Sequence, residues 1–176
     1  MTNTNIRKAE ISDAEKLLKI YAPYIQKTAI TFEYEIPTLE EFRNRIKKIL
    51  EKFPYICAVQ GDSIKAYAYA SSFKERAAYQ WSVEVSIYVA EDSQRKGLGR
   101  LLYTELEKEL KKSGIVNIYA CVAVPTKQAD EYLTWNSEQF HTHLGFKKIG
   151  KFTDCAKKFN HWYSMIWMEK IIGEHK

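Results

Sequence analysis

Gln94-Arg95-Lys96-Gly97-Leu98-Gly99 sets two glycines two residues apart in a basic run. Ahead of it, "WSVEVSIYVA" alternates as a strand does; behind it, "LLYTELEKELKK" repeats leucine at helical spacing. A strand, a glycine turn and a helix start outline an anion site. The helix offers free N–H groups and the positive end of its dipole, and the glycines let a phosphate reach the backbone. Two phosphate-loop patterns fail. A Walker loop needs Gly-x-x-x-x-Gly-Lys-Ser/Thr, and here lysine precedes Gly97. A dinucleotide fingerprint needs a third glycine where Leu102 stands, and this turn lies mid-chain. A tight turn with solvated lysine and arginine remains the plain alternative.

Glu84 is the second group with chemistry to offer. Period two puts Val83, Val85, Ile87 and Val89 on one strand face and Glu84 on the other. A carboxylate beside an amine can take its proton, directly or through water. The alternative is a solvent-facing strand glutamate.

The six loop residues also fit Gln/Arg-x-x-Gly-x-Gly/Ala, the pyrophosphate loop of the GNAT acetyltransferases. The block "FKERAAYQWSVEVSIYVAEDSQRKGLGRLLYTEL" resembles the central segment of the phosphinothricin acetyltransferase-like GNAT proteins. "TFEYEIPTLEEF" is similar to their substrate-side loop and second helix, and "KFNHWYSMIWMEK" to their last strand. The resemblance covers nearly the whole chain. It implies an α/β GNAT fold: a twisted mixed sheet splayed between strands 4 and 5, with helices on both faces and acetyl-CoA in the gap. It implies one acetyltransferase domain over residues 1–176, and acetyl transfer by direct attack of a primary amine on the thioester. The acceptor class it implies is a small amino acid or analogue, such as phosphinothricin or methionine sulfoximine. A polyamine, a protein amine, or plain acyl-CoA binding without catalysis are the competing readings.

Carried onto this chain, the resemblance makes Glu84 the catalytic base. It places Ile87, Tyr88 and Val89 along the cofactor, with a backbone N–H near Val89 polarising the thioester if the strand bulges there. It gives the pyrophosphate to Gln94, Arg95, Lys96, Gly97, Leu98, Gly99 and Arg100. A side chain at either glycine would then block the phosphate. His141 stands where many members have a tyrosine acid, with a second base or plain packing as alternatives. Ser137 fits a cofactor position, but Thr134 replaces the usual asparagine, with Asn136 nearby. Residues 125–135 run longer than in shorter relatives. Lys74, Arg76 and Tyr79 precede the strand, and Arg76 suits a carboxylate by its planar fork, a solvated loop charge being the alternative. Phe32 and Glu33 are candidates for the acceptor wall, though Phe32 also suits the core. The resemblance implies a homodimer, to which the aromatic end "FNHWYSMIWM" would lend apolar surface.

The positioning elements follow from patterning. "NIRKAEI" reads as a strand. Ser12 with Glu15, and Thr38 with Glu41, read as capping boxes of two helices. Pro23 should kink or end the first of these. "YICAVQ", Gly-Asp and "SIKAYAYASS" form a hairpin. After the glycines, Leu98, Leu101, Leu102, Leu106 and Leu110 point inward, and Glu107–Lys111 and Lys108–Lys112 outward, with Gly114 as the stop. "IVNIYACVAV" is a buried strand, "NSEQFHTHL" a short helix, and "GFKKIGKF" and "HWYSMIWMEK" the closing strands.

At 176 residues the chain suits one domain. No apolar run is long enough to cross a bilayer, and the start lacks a signal peptide's apolar core, so a cytoplasmic setting is expected. Three scattered cysteines suit reduced thiols, and the four histidines show no metal spacing, so no metal is expected. A net charge of +5 is mild; it suits an anionic cofactor without calling for nucleic acid.

Overall fold

The computed structural model describes residues 4–175. In chain order these form β1 (Thr4–Lys8), α1 (Ala14–Lys27), α2 (Leu39–Leu50), β2 (Tyr55–Gln60), β3 (Ser63–Ser72), β4 (Ser82–Val89), α3 (Leu98–Lys112), β5 (Asn117–Pro125), α4 (Asn136–His143), β6 (Lys147–Lys158) and β7 (His161–Ile171). The strands make one seven-stranded sheet in the order β1-β2-β3-β4-β5-β7-β6. Every neighbouring pair is antiparallel except β4–β5, which the α3 crossover makes parallel.

The alternation in β3 decides what each face can pack. Ala66, Ala68 and Ala70 face the side that buries Leu102, Leu106 and Leu110 of α3. Tyr67 and Tyr69 turn to the other face, where α1 and α2 contribute Leu17, Tyr21, Phe42 and Ile46. Short side chains let α3 lie close to the sheet, while the far side is filled by stacked rings such as Tyr55 on Tyr67 at 5.7 Å. Helices thus cover both faces, as expected.

The sheet opens where the resemblance implies. β4 and β5 pair only at Ser82–Asn117, Val83–Ile118 and Glu84–Tyr119. Beyond Glu84, β4 stays with β3 as far as Ala66–Val89, and β5 stays with β7 to its end. The β3–β4 register is regular throughout, so the bulge considered near Val89 is absent.

Local details depart from the patterning. β1 ends at Lys8, and Ile11 enters a short 3-10 turn, Ile11–Asp13. The capping box ahead of α1 pairs Glu10 with Asp13 instead of Ser12 with Glu15. Asp13 accepts the Glu10 N–H at 2.9 Å and is gripped by both Arg7 guanidinium nitrogens at 2.7 and 2.8 Å. A two-pronged charge-assisted contact outweighs a neutral hydroxyl cap. Pro23 does not end α1, which runs on to Lys27. The Thr38–Glu41 box forms, with the Thr38 N–H reaching Glu41 at 2.7 Å. Glu107 faces Lys170 of β7 at 2.6 Å and is not a solvent residue, whereas Leu101 is 37% exposed. β6 extends past Phe152 to Lys158.

The two loop glycines serve different ends. Gly97 begins α3 at φ 81°, and a Cβ there would meet nothing within 4 Å. Its demand is left-handed backbone, which costs any L-residue about 1–2 kcal/mol. Arg95 shares that region at φ 59°. Gly99 is helical, and a Cβ there would lie 2.8 and 2.9 Å from the Phe140 ring. Its missing side chain is therefore occupied by α4, which corrects the expectation that it makes room for phosphate.

Overpacking of this kind costs about 1–3 kcal/mol. Gly99→Ala should lower stability by that amount in denaturant melts, and Gly99→Ala combined with Phe140→Leu should recover most of it. A single variant as stable as the parent would show that α3 and α4 part without cost.

Candidate functional site

A cavity of about 560 Å³ fills the gap between the diverging strands. Its walls are Val85–Val89 of β4, Ala120–Ala123 of β5, the turn through Gln94, Arg95 and Gly97–Arg100, and α4 through Ser137 and His141. The structure therefore brings Ile87, Tyr88, Val89, Gln94, Arg95, Gly97, Leu98, Gly99, Arg100, Ser137 and His141 to one space. Lys96 stands aside, donating its ammonium to the Asp92 carbonyl at 2.7 Å. Thr134 and Asn136 both reach the cavity, so the departure at Thr134 leaves a polar group there.

Backbone geometry says what this wall offers. The Trp81 carbonyl accepts N–H groups from Val116 and Asn117, so alternate residues of β4 direct N–H and C=O toward β5. By that alternation Val85, Ile87 and Val89 point into the gap, where the ladder has ended. Val89 is already engaged: its N–H donates to the Tyr24 hydroxyl at 3.1 Å, and its carbonyl accepts that hydroxyl at 2.6 Å. The free edge is centred on Ile87, not on Val89.

Glu84 sits where the strands part, paired across β5 with Tyr119. It is half-buried, and among the described residues no group hydrogen-bonds its carboxylate. Burial raises its pKa above the ordinary carboxylate range, and Lys74 offsets part of the rise. The Cys121 thiol on the cavity wall is pushed up to about 12, by burial first and then by the Glu84 charge. Glu84 thus reaches the cavity electrostatically although it is not part of its wall.

The segment ahead of β4 gathers around Phe73, which stacks on Tyr119 at 4.2 Å. Lys74 lies over Phe73 at 5.0 Å and Trp167 at 5.8 Å, and Tyr79 meets Phe73 edge-on at 5.9 Å. Arg76 is exposed at the start of the turn Ala77–Tyr79, without an ion pair or side-chain hydrogen bond among the described residues. On the opposite side, Glu33 is held by Arg45 at 2.7 Å and by the Tyr21 hydroxyl at 3.2 Å. Phe32 packs on a small cluster of Ala29, Ala123, Leu133 and Tyr163, one member of which, Ala123, is cavity wall. The long 125–135 stretch is ordered by Asp130, which accepts the N–H groups of Tyr132 and Leu133 and the Tyr163 hydroxyl.

His141 is buried, with both ring nitrogens engaged. Nδ1 lies 2.7 Å from the Ser137 carbonyl, which can only accept, so Nδ1 carries the proton. Nε2 is then the acceptor for the Tyr103 hydroxyl at 3.0 Å. Burial lowers the pKa of the ring, favouring its neutral form. Packing against Phe140 and Phe146 completes its surroundings. This geometry favours the packing role over that of an acid.

Three neighbours went unnoticed in the sequence: Tyr24, Arg45 and Lys158. Lys158 is buried, donates to the Thr31 carbonyl at 2.8 Å, and is held down at about 8 by desolvation, which Glu33 partly offsets. Nothing in its local pattern distinguishes it from the exposed lysines of β6. Among the described residues no three metal-ligating side chains cluster.

Comparison with known proteins agrees with this architecture. The model for the acetyltransferase (GNAT) domain matches residues 6–167. The phosphinothricin N-acetyltransferase of Streptomyces coelicolor is 30% identical over 94% of this chain and 94% of its own. The L-methionine sulfoximine/L-methionine sulfone acetyltransferase of Salmonella typhimurium is 24% identical over 97% of this chain and 95% of its own. The crystal structure of a phosphinothricin acetyltransferase from Sinorhizobium meliloti in complex with AcCoA superposes with a TM-score of 0.88. It is 27% identical, over 98% of this chain and 90% of that one. With the splayed sheet, the glycine turn and the family match in agreement, the chain belongs to the GNAT N-acetyltransferases.

Proposed function

We propose that the protein transfers acetyl from acetyl-CoA to the primary amine of a small amino acid or a close analogue, working as one domain over residues 1–176. One observation carries the reading furthest. The cavity runs from a glycine-started helix past a free strand edge at Ile87, and just outside its wall, where the strands part, stands a half-buried carboxylate with no hydrogen-bond partner among the described residues. The helix start suits pyrophosphate, the edge suits the amides of a pantetheine arm, and the carboxylate suits an amine. The names of the relatives supply the acceptor class. Acetyl-CoA brings an activated acyl group; the chain's task is to orient it and to move protons.

Glu84, directly or through water, takes the proton of the attacking amine. The Ile87 N–H is the donor placed for a carbonyl at this depth. The C–N bond forms as the C–S bond breaks, and the departing thiolate takes a proton from water, neutral His141 holding none on Nε2. An α-amine with a pKa of about 7.7–8.0 is partly neutral at physiological pH, so a weak base suffices. Lys74 acts on Glu84, Tyr79 packs on the neighbouring Phe73, and Arg76 is free to meet an acceptor carboxylate. Phe32 and Glu33 form the facing wall.

No helix among the described residues is long and apolar enough to cross a membrane, and we place the enzyme in the cytoplasm. The edge strand β6 and its neighbour leave Ile149, Phe152 and Trp162 more than half exposed, which supports a homodimer formed there. Light scattering at micromolar concentration should report a dimer, and Phe152→Glu should dissociate it; a monomeric parent would remove this proposal.

The function itself is tested by acetyl-CoA consumption across amino acids, polyamines and peptides. Turnover confined to polyamines or peptides would replace the proposed acceptor, and no turnover with any amine would leave an acyl-CoA-binding module.

Arg76→Ala should raise KM for amino acids far more than for their amides, which carry no carboxylate. Equal losses would reduce Arg76 to shaping its turn.

Glu84→Gln keeps shape but cannot accept a proton, so kcat should fall by about two to four orders of magnitude with acetyl-CoA affinity unchanged. The raised pKa of Glu84 sets the sign with pH: the parent gains activity as pH climbs through it and the carboxyl ionises. The variant's defect should shrink at higher pH, where more amine is already neutral. Near-parental kcat at pH 7 would leave water as the base.

A further inference from the structure

Among the described residues Lys158 is the only buried lysine. A tight hairpin fixes its place. β6 and β7 pair as far as Lys158–His161, which leaves Phe159 and Asn160 to make the turn, at φ 49° and 62°. Ala156 pairs with Tyr163, a member of the cluster on which Phe32 packs, so strand alternation turns Lys158 to that same sheet face. The Phe159 ring stacks at 4.2 Å on Tyr132, which belongs to the long 125–135 stretch ordered by Asp130. Against this support lies the segment between α1 and α2. The Ala29 N–H donates to the Tyr132 carbonyl at 3.0 Å, and the Lys158 ammonium donates to the Thr31 carbonyl at 2.8 Å. From the other side the Tyr21 hydroxyl lies 2.9 Å from the Thr31 hydroxyl. Thr31 is thus gripped on both sides, between Ile30, which lines the cofactor cavity, and Phe32 and Glu33 of the proposed acceptor wall.

A buried lysine is a costly way to make one hydrogen bond. Among the described residues no carboxylate pairs with this ammonium. Desolvation holds it down at about 8, and the Glu33 charge and the Phe159 ring, 5.2 Å away, compensate only in part. An apolar side chain would bury here at less cost. What lysine adds is a donor on a stem long enough to cross from β6 to the Thr31 carbonyl. Resting on the acetyl-transfer reading above, we infer that Lys158 is a positioning residue for the acceptor: through Thr31 it fixes Phe32 and Glu33 and so sets the width of the acceptor pocket. The 125–135 stretch is the buttress behind that wall. Ties at Ala29, at Glu33 to Arg45, and from the Tyr34 hydroxyl to the Lys157 carbonyl keep the segment attached without the lysine. Losing Lys158 therefore shifts the wall and leaves the fold in place.

Lys158→Met keeps a long stem and removes the donor. With the amino acid that the parent acetylates fastest, KM should rise about tenfold or more while kcat stays within about threefold, the pattern of lost acceptor binding with the chemistry intact. Acetyl-CoA affinity, read by calorimetry, should not move, because the Ala29 bond to Tyr132 still holds Ile30 in place. Lys158→Arg, which returns N–H donors on a long stem, should recover most of the KM. An acceptor KM at the parental value in the folded Met variant overturns the inference, whatever its melting temperature. A parallel loss of acetyl-CoA affinity overturns it too, since Lys158 would then be a general support. Should Lys158→Met not fold, Lys158→Gln, whose amide stops short of Thr31, is read by the same split. A parent that acetylates only polyamines or peptides ends the amino-acid reading, and the split measured with that amine still decides the role of Lys158. A parent that acetylates no amine removes both.

Discussion

The structure depends on one ladder stopping early. β4 and β5 pair for three residues and separate after Glu84, while each stays paired with its other neighbour. Two half-sheets with opposite loyalties cannot close on each other. The separation leaves backbone donors and acceptors facing the gap, groups that buried protein rarely leaves unmet. Tyr24 meets those of Val89. Those of Ile87 face the cavity, an edge that suits the amide-bearing arm proposed for it.

Keeping the gap in line with the helix start is a packing problem, solved by small residues. Ala66, Ala68 and Ala70 let α3 settle against the sheet, which directs its N-terminus at the cavity mouth. Gly99 then lets Phe140 of α4 press on the first turn of α3. The glycine turn is thus a joint between two helices and a strand as well as the proposed anion site. On the opposite face the rings of Tyr21, Tyr55, Tyr67 and Tyr69 fill the thicker layer beneath α1 and α2.

What could be read from the sequence was local. The alternation of β4, the leucines of α3, the glycine turn and the Thr38 cap each lie within a few residues and obey short periods. The joint order of such motifs was enough for the fold and for most of the cavity wall. The failures share a cause: they turn on partners distant in sequence. Tyr24 and Val89 are 65 residues apart, and Lys158 and Thr31 127 apart. The box formed as Glu10 with Asp13, not Ser12 with Glu15, and Arg7, from the preceding strand, grips Asp13. Gly99 was assigned to phosphate because its neighbour Phe140, from another helix, could not be seen. His141 was legible as a cavity residue, but not that Tyr103 and Ser137 would occupy both its nitrogens.

The two carboxylates proposed for the acceptor side show how surroundings divide the work. Both belong to the tyrosine-lined side, where the Tyr69 hydroxyl feels the charge of each. Glu33 is bound by the Arg45 guanidinium and the Tyr21 hydroxyl, contacts that occupy its lone pairs. Among the described residues Glu84 has no such partner; burial raises its proton affinity, and Lys74, spread over Phe73 and Trp167, offsets part of it. Of the two, only Glu84 combines open lone pairs with raised basicity, and it stands where the strands part. Residue type does not separate these glutamates. The arginine on α2 does, by engaging one and leaving the other open, as the proposed base requires.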